Sequence, residues 1–259
     1  YNEFMGKLFL VGTPIGNLDD MSIRALNYLK EAKHIVAENP PAFKTFLDNL
    51  GLDKSDANIL YAHTWPDYSG DIPLVDDVLE LLVSGENVYV VCDGGMPGIS
   101  DPGGLLANEC IKRNIPVVST PGPSATLSAA VSTGCTNGFM FLGFIPKDKI
   151  QRMHSLKTFS RNPVPNLYLL INQKDYFIEA MDDLIKMWGD RNGALCYNLT
   201  TSKEYITYGR LSGLKEYWLN HYIEDNEAML VVDGSVPTLV MPIENPSNPL
   251  WGWRSSPSF

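Results

Sequence analysis

Three short apolar runs in this chain each end in a glycine- and proline-rich turn, and that pairing constrains the fold more than any other feature. Lys7–Gly12 leads into Gly12–Asn17, Val88–Cys92 into Asp93–Gly104, and Pro116–Ser119 into Thr120–Ser124. Apolar runs of this length bounded by Gly and Pro read as buried strands followed by turns. Between them the apolar spacing switches to the helical period, as in Ile23, Leu26, Leu29 and Ala32, or Leu74, Val78, Leu81 and Leu82. The pattern predicts helices over 20–33, 42–50, 74–84, 104–113 and 125–132, with further strands at 34–38 and 58–62. Such alternation argues for an α/β fold around a mostly parallel sheet.

The rhythm changes near 144–150. Beyond it, strands are expected at 166–171, 194–199, 204–208, 228–232 and 238–241, with helices at 176–187 and 214–220. This half reads as a second α+β domain with hairpins. The expected organisation is a first domain over 5–144, a second over 151–241, and a loosely ordered tail over 242–259, rich in Pro, Ser, Asn and Trp.

Charge and composition exclude several classes. No stretch of about 18 uncharged apolar residues exists, so no membrane span is expected. The opening residues lack the basic flank and apolar run of an export signal, and Met5 reads as a start. A net charge of −10 counts against a broad nucleic-acid surface. One local exception is the segment 147–161, with Lys147, Lys149, Arg152, Lys157 and Arg161 against the single acid Asp148. It reads either as a solvated helix face or as a patch for an anionic substrate. The cysteines (Cys92, Cys110, Cys135, Cys196) form no C-x-x-C pair, and the histidines are scattered, so no metal site is expected. Reduced thiols point to the cytoplasm.

In an open α/β sheet, ligands bind outside the carboxyl ends of strands. The three loops would share one such edge, where Gly and Pro let backbone amides and carbonyls approach a ligand closely. They match neither the Walker pattern nor G-x-G-x-x-G, which disfavours an NTPase or a dinucleotide dehydrogenase.

Three long segments carry a family resemblance. Leu8-Phe-Leu-Val-Gly-Thr-Pro-Ile-Gly-Asn-Leu-Asp-Asp-Met-Ser-Ile-Arg-Ala-Leu26, Asp93-Gly-Gly-Met-Pro-Gly-Ile-Ser-Asp-Pro-Gly103 and Val117-Val-Ser-Thr-Pro-Gly-Pro-Ser-Ala125 resemble successive signatures of the tetrapyrrole methylase superfamily. Gly143-Phe-Ile-Pro146 resembles the exit of its first domain. The likeness is to the branch that methylates ribose 2′-hydroxyls of small-subunit ribosomal RNA. It implies two α/β domains with a cleft for S-adenosylmethionine between them, S-adenosylhomocysteine as the spent donor, and a homodimer. It implies that Pro14 lines the adenosine side, that Gly94, Gly95, Met96 and Ile99 face the methionine and ribose portions, and that Ser124 and Ala125 approach from the third loop. Ile171, Leu199 and Ala228 stand where the superfamily closes over the adenine.

An alcohol acceptor must lose its proton, which calls for a base. Asp101 is the best-placed loop carboxylate, although a helix N-cap before Pro102 is an equally good reading of it. Asn17 and Arg24 are candidates for orienting the acceptor; a surface ion pair is the other reading of Arg24. The chain also departs from the RNA-methylating branch. Ala37-Glu-Asn-Pro-Pro41 stands where that branch has an acidic-Asp-Thr-Arg stretch, and Leu170–Tyr176 and Tyr197–Thr201 lack its second-domain charges. Each change removes charge that could face RNA. The acceptor therefore stays open between ribosomal RNA, a small molecule, a tetrapyrrole and a peptide backbone amide, and so does a donor-binding protein without catalysis.

Overall fold

The computed structural model describes residues 5–62, 73–101, 103–135, 138–170, 173–221, 228–235, 239 and 252–253. The chain forms two compact units, Tyr1–Ser124 and Ala125–Phe259. No helix among the described residues is long and apolar enough to cross a membrane.

The first unit alternates strand and helix: β1 (Leu8–Val11), α1 (Ile23–Glu31), β2 (His34–Ala37), α2 (Pro40–Leu50), β3 (Asn58–Tyr61), α3 (Pro73–Val83), β4 (Val88–Val90), α4 (Gly104–Lys112) and β5 (Val117–Thr120). All five strands are parallel, in the order β3-β2-β4-β1-β5. Side chains alternate between the two faces. Leu8, Val36, Val88 and Val90 pack with Leu79, Leu82 and Leu106 of α3 and α4. Phe9, Val11, Ile35 and Tyr89 pack with Ala25, Leu29, Phe43 and Leu47 of α1 and α2. Both faces are thus covered, which is why the strands read as unbroken apolar runs.

The sequence pattern starts α2 at 42, after Pro40 and Pro41. They open α2 instead, because Asn39 caps it by accepting the Ala42 N–H, and proline is tolerated in a first helical turn whose N–H groups have no partner. The helix ends on Gly51 at φ 65°.

The second unit holds α5 (Ala125–Ser132), β6 (Met140–Phe144), α6 (Lys149–Phe159), β7 (Asn166–Leu170), α7 (Lys174–Trp188), β8 (Asn192–Tyr197), β9 (Tyr205–Arg210), α8 (Leu211–Asn220), β10 (Ala228–Val232) and β11 (Gly252–Trp253). The sheet order is β11-β9-β8-β10-β7-β6, antiparallel except for the parallel β6–β7 pair. Its core joins Tyr168, Leu195 and Leu230 to Leu156, Phe177, Leu184 and Trp218 from α6, α7 and α8. The Phe177 and Trp218 rings stack at 4.1 Å.

Two boundaries differ from the sequence reading. The units divide between Ser124 and Ala125, not near 144–150, because β6 pairs with β7 and α5 packs on β10. Within the segment read as a loose tail, Gly252–Trp253 pairs with Thr207 and Ile206 of β9. The rest of that tail, and most of the strand expected at 238–241, lie outside the described residues.

Arg152 settles one of the readings of the basic segment for its own side chain. It is fully buried, with Nε 2.9 Å from Asp183 Oδ2 and Nη2 3.1 Å from Glu179 Oε2. Its Nη1 donates to the carbonyls of Pro146 (3.1 Å) and Lys147 (2.8 Å). A buried guanidinium with four acceptors ties the entry of α6 to α7 and meets no outside anion.

Replacing Arg152 with Met strands the buried Asp183 carboxylate, and a loss of about 3–5 kcal/mol is expected in urea denaturation. Adding Asp183→Asn to that variant should recover part of the loss. An unchanged midpoint for Arg152→Met would refute the role given to it.

Candidate functional site

The strands β4, β1 and β5 are neighbours and parallel, so the three glycine/proline loops emerge side by side at one carboxyl edge. The chain reverses its winding here: β1 continues to β2 on one side, while β5 lies on the other. This is the switch point where open α/β sheets bind ligands.

Backbone contacts lock the loops together. Thr13 and Gly95 exchange two backbone hydrogen bonds, N–H to O at 2.9 and 3.1 Å. Thr13 Oγ1 also donates to the Cys92 carbonyl at 3.1 Å. The first and third loops touch at glycine. A Cβ on Gly122 would lie 2.7 Å from Gly12 Cα, and one on Gly12 would lie 2.8 Å from the Met96 sulfur. A Cβ on Gly94 would meet the Pro14 carbonyl at 3.2 Å, and one on Gly95 would lie 3.7 Å from the Pro123 carbonyl. Gly95 also needs its φ of 94°.

The first unit therefore brings Pro14, Gly94, Gly95 and Met96 together, with Pro123 leading directly into Ser124. Pro14 is buried, Met96, Ser124 and Ala125 are half-buried, and Ile99 is 58% exposed. Leu199 and Ala228 belong to the second unit. Leu199 is buried in the turn after β8, and Ala228 opens β10 within that unit's own core. Ile171 lies outside the described residues.

Asp101 is half-buried beside Ser100, whose φ is 65°. The N-cap position of α4 is Gly103, at φ 119°, two residues beyond Asp101. The N-cap position expected at Asp101 thus falls two residues later, because the glycine turn carries the chain on before the helix starts. Asn17 is exposed, and its Oδ1 accepts the Asp19 N–H at 3.1 Å, capping a short 3-10 turn. Arg24 is exposed in the first turn of α1 and, among the described residues, takes part in no ion pair.

Sequence reasoning missed the part played by Thr13. Its only signal was a hydroxyl residue directly after the glycine that ends β1. The fully buried Thr120 hydroxyl, at the root of the third loop, has no hydrogen-bond partner among the described residues. Glu38 reaches from the end of β2 to accept the Asp93 N–H at 3.2 Å. Partial burial, and then the Glu38 charge, push the Asp93 carboxyl above its ordinary range. Burial pushes the Cys92 thiol far up, helped by the charge of nearby Asp101, so Cys92 is a scaffold residue and no nucleophile.

None of the three loops contains a Lys or Arg, while Asp93 and Asp101 lie within the second. Such a cradle suits a neutral or cationic ligand held by backbone groups and does not suit a phosphate.

Residues 7–215 match the model of the tetrapyrrole (corrin/porphyrin) methylases. The chain is 32% identical over 231 residues to ribosomal RNA small subunit methyltransferase I of Halalkalibacterium halodurans, covering 89% of this chain and 76% of that protein. Among solved structures, a diphthine synthase superposes with a TM-score of 0.65 at 16% identity, over 88% of this chain and 90% of that one. Uroporphyrin-III C-methyltransferase of Thermus thermophilus, in complex with S-adenosylhomocysteine, gives 0.59 at 17% identity, over 88% and 97%.

Gly122→Ala should force the first and third loops apart. A cost of about 1–3 kcal/mol is expected in urea denaturation, as for overpacking elsewhere, and native stability in that variant would sink the contact's importance. For Asp93 the folded state keeps its proton to higher pH than the unfolded chain. Stability is then lost as pH rises from the ordinary carboxyl range through the raised value. Asp93→Asn is expected to flatten that decline in a pH series of urea midpoints.

Proposed function

Because the chain belongs to the tetrapyrrole methylase family and is a methyltransferase of that kind, we propose that it transfers a methyl group from S-adenosylmethionine to a ribose 2′-hydroxyl of small-subunit ribosomal RNA. The observation that carries the donor assignment is the cation-free cradle formed by three loops locked through backbone on adjacent strands. The ribosomal acceptor is supported by the name of the Halalkalibacterium halodurans relative. We place the reaction in the cytoplasm, where such an acceptor is made.

S-adenosylmethionine, when bound, supplies an electrophilic methyl group on a positively charged sulfur. The chain's own residues do the rest. Pro14, Gly94, Gly95, Met96 and Ile99 would hold the donor through backbone groups and apolar side chains, with Ser124 and Ala125 approaching from the third loop. The unpartnered Thr120 hydroxyl offers one further hydrogen bond at the root of the cradle. Because the loops are tied by the Thr13–Gly95 bridge and the Gly12–Gly122 contact, little reorganisation accompanies binding. Asp101 accepts the proton of the acceptor hydroxyl on its carboxylate. Arg24, exposed on α1, is suited to an acceptor phosphate, and Asn17 to an acceptor hydroxyl.

The homodimer expected from the resemblance has apolar surface to use, since Val131 is 78% exposed and Met140 and Phe144 of the edge strand β6 are each 37% exposed. Sedimentation equilibrium is expected to give twice the chain mass.

One observation favours a second reading, a different acceptor or a donor-binding protein without catalysis. Asn39-Pro40-Pro41 builds the start of α2 where the RNA-methylating branch carries its arginine.

Incubation with methyl-labelled donor and ribosomal subunits should place label in small-subunit RNA, at a ribose resistant to alkaline cleavage. Label appearing only in tetrapyrrole or protein fractions, or nowhere, would overturn the reading. Asp101→Asn is expected to lower kcat about 10²–10⁴-fold while calorimetric binding of S-adenosylhomocysteine is retained.

A further inference from the structure

The fold splits the basic segment 147–161 into two parts. Arg152 is spent inside the second unit. Lys147, Lys149, Lys157 and Arg161 are exposed, and among the described residues none of the four enters an ion pair. Among the other surface cations, Lys44 pairs with Asp48, Lys112 and Arg113 with Glu109, and Lys215 with Asp182, whereas Lys7, Arg24, Lys30, Lys33, Lys174, Lys186 and Lys203 likewise enter no ion pair among the described residues. The segment's one acid, Asp148, has its carboxylate turned onto the Gln151 N–H at 2.8 Å as the cap of α6.

Helix stability accounts for Lys157, which lies in the last turn of α6 where the macrodipole favours positive charge, but not for the two lysines at the other end. Lys147 and Lys149 flank the N-terminus of α6, where the macrodipole disfavours positive charge, and the capping carboxylate of Asp148 is the one acid there to set against the two of them. A local rule broken without a structural gain is a mark of function.

The cations stand on a fixed support. Arg152 holds the carbonyls of Pro146 and Lys147 at one end. At the other, Arg191 Nη2 donates to the Ser160 carbonyl at 2.6 Å and Ser235 Oγ to the Arg161 carbonyl at 3.1 Å. From Lys149 to Lys157 the helix rises about 12 Å, which suits an extended polyanion better than a single phosphate. In a chain of net charge −10, most of the surface repels such a partner, so its binding falls to the local exception. A membrane is a poorer match, because Ile150 is the only large apolar side chain that α6 exposes, too little to insert at an interface.

We propose that the exposed cations of α6 and its flanks, Lys149 and Lys157 on the helix with Lys147 before it and Arg161 after it, grip the phosphate backbone of the RNA substrate. This rests on the ribosomal RNA reading above and adds to it where the strand is held.

The test measures binding of the full chain to a fluorescein-labelled single-stranded fragment of small-subunit ribosomal RNA by anisotropy, from low to physiological salt. Each phosphate contact contributes about 0.7 to the slope of log affinity against log salt. The combined Lys147→Ala, Lys149→Ala, Lys157→Ala and Arg161→Ala variant should therefore lose about 3 from that slope and bind more than tenfold more weakly at low salt. The charge-preserving variant, with the three lysines as Arg and Arg161 as Lys, should keep both. S-adenosylhomocysteine binding and the urea midpoint should stay unchanged in both variants. An unaltered slope in the alanine variant would overturn the proposal, as would equal competition by poly-glutamate or by phosphatidylserine vesicles. If the patch carries the slope but no ribosomal RNA is methylated, the surface stands and the ribose acceptor falls. If the alanine variant methylates ribosomal RNA with unchanged KM, the acceptor stands and the surface falls.

Discussion

The close approach of Gly12 to Gly122 is the contact on which the first unit's edge depends. Two backbones meet there with no room for a side chain, so the ends of β1 and β5 can be drawn together only where glycine stands on both. The Met96 sulfur closes over the same point. With the Thr13–Gly95 bridge, three loops from separate parts of the sequence become one rigid rim. Rigidity of this sort is expensive in conformational entropy, and the buried strands β4, β1 and β5 offset the cost by anchoring each loop at its root.

The rim's chemistry follows from what it leaves out. A phosphate site would need basic side chains or a helix N-terminus aimed at the anion. Here the polar groups are backbone amides and carbonyls with the neutral side chains of Thr13, Asn17, Ser100, Thr120 and Ser124, the only charges are carboxylates, and the other side chains are apolar or small. A ligand with a positive centre and an otherwise neutral body matches that inventory. The Glu38–Asp93 contact fits the same electrostatics, since two carboxylates brought together raise the affinity of the edge for positive charge.

Much of this was legible in the chain itself. The parallel sheet could be read from runs such as Leu8–Val11 and Val88–Val90, because strands buried on both faces need no alternation. Ala125–Ser132 and Ala228–Val232 were read with their observed bounds. The division between units was harder, because β6 belongs to its sheet through pairing with β7, and sequence periodicity carries no information about the partner of a strand. Arg152 could not be told from its exposed neighbours for a related reason. Its burial depends on Asp183, thirty-one positions further along, and on carbonyls that no side-chain pattern reports. Prolines 40 and 41 misled because proline ends helices and also begins them, and only the Asn39 cap distinguishes the two.

The helix α6 joins β6 to β7, the one parallel pair in the second sheet, so it is an obligatory crossover and not an appendage. Its inward residues answer to the sheet beneath them, while its outward cations answer only to whatever anion arrives. Mutational drift therefore acts on the two faces under separate rules. Related chains can exchange the outward charges to suit a new partner without disturbing the scaffold, whereas the guanidinium beneath them has no such latitude.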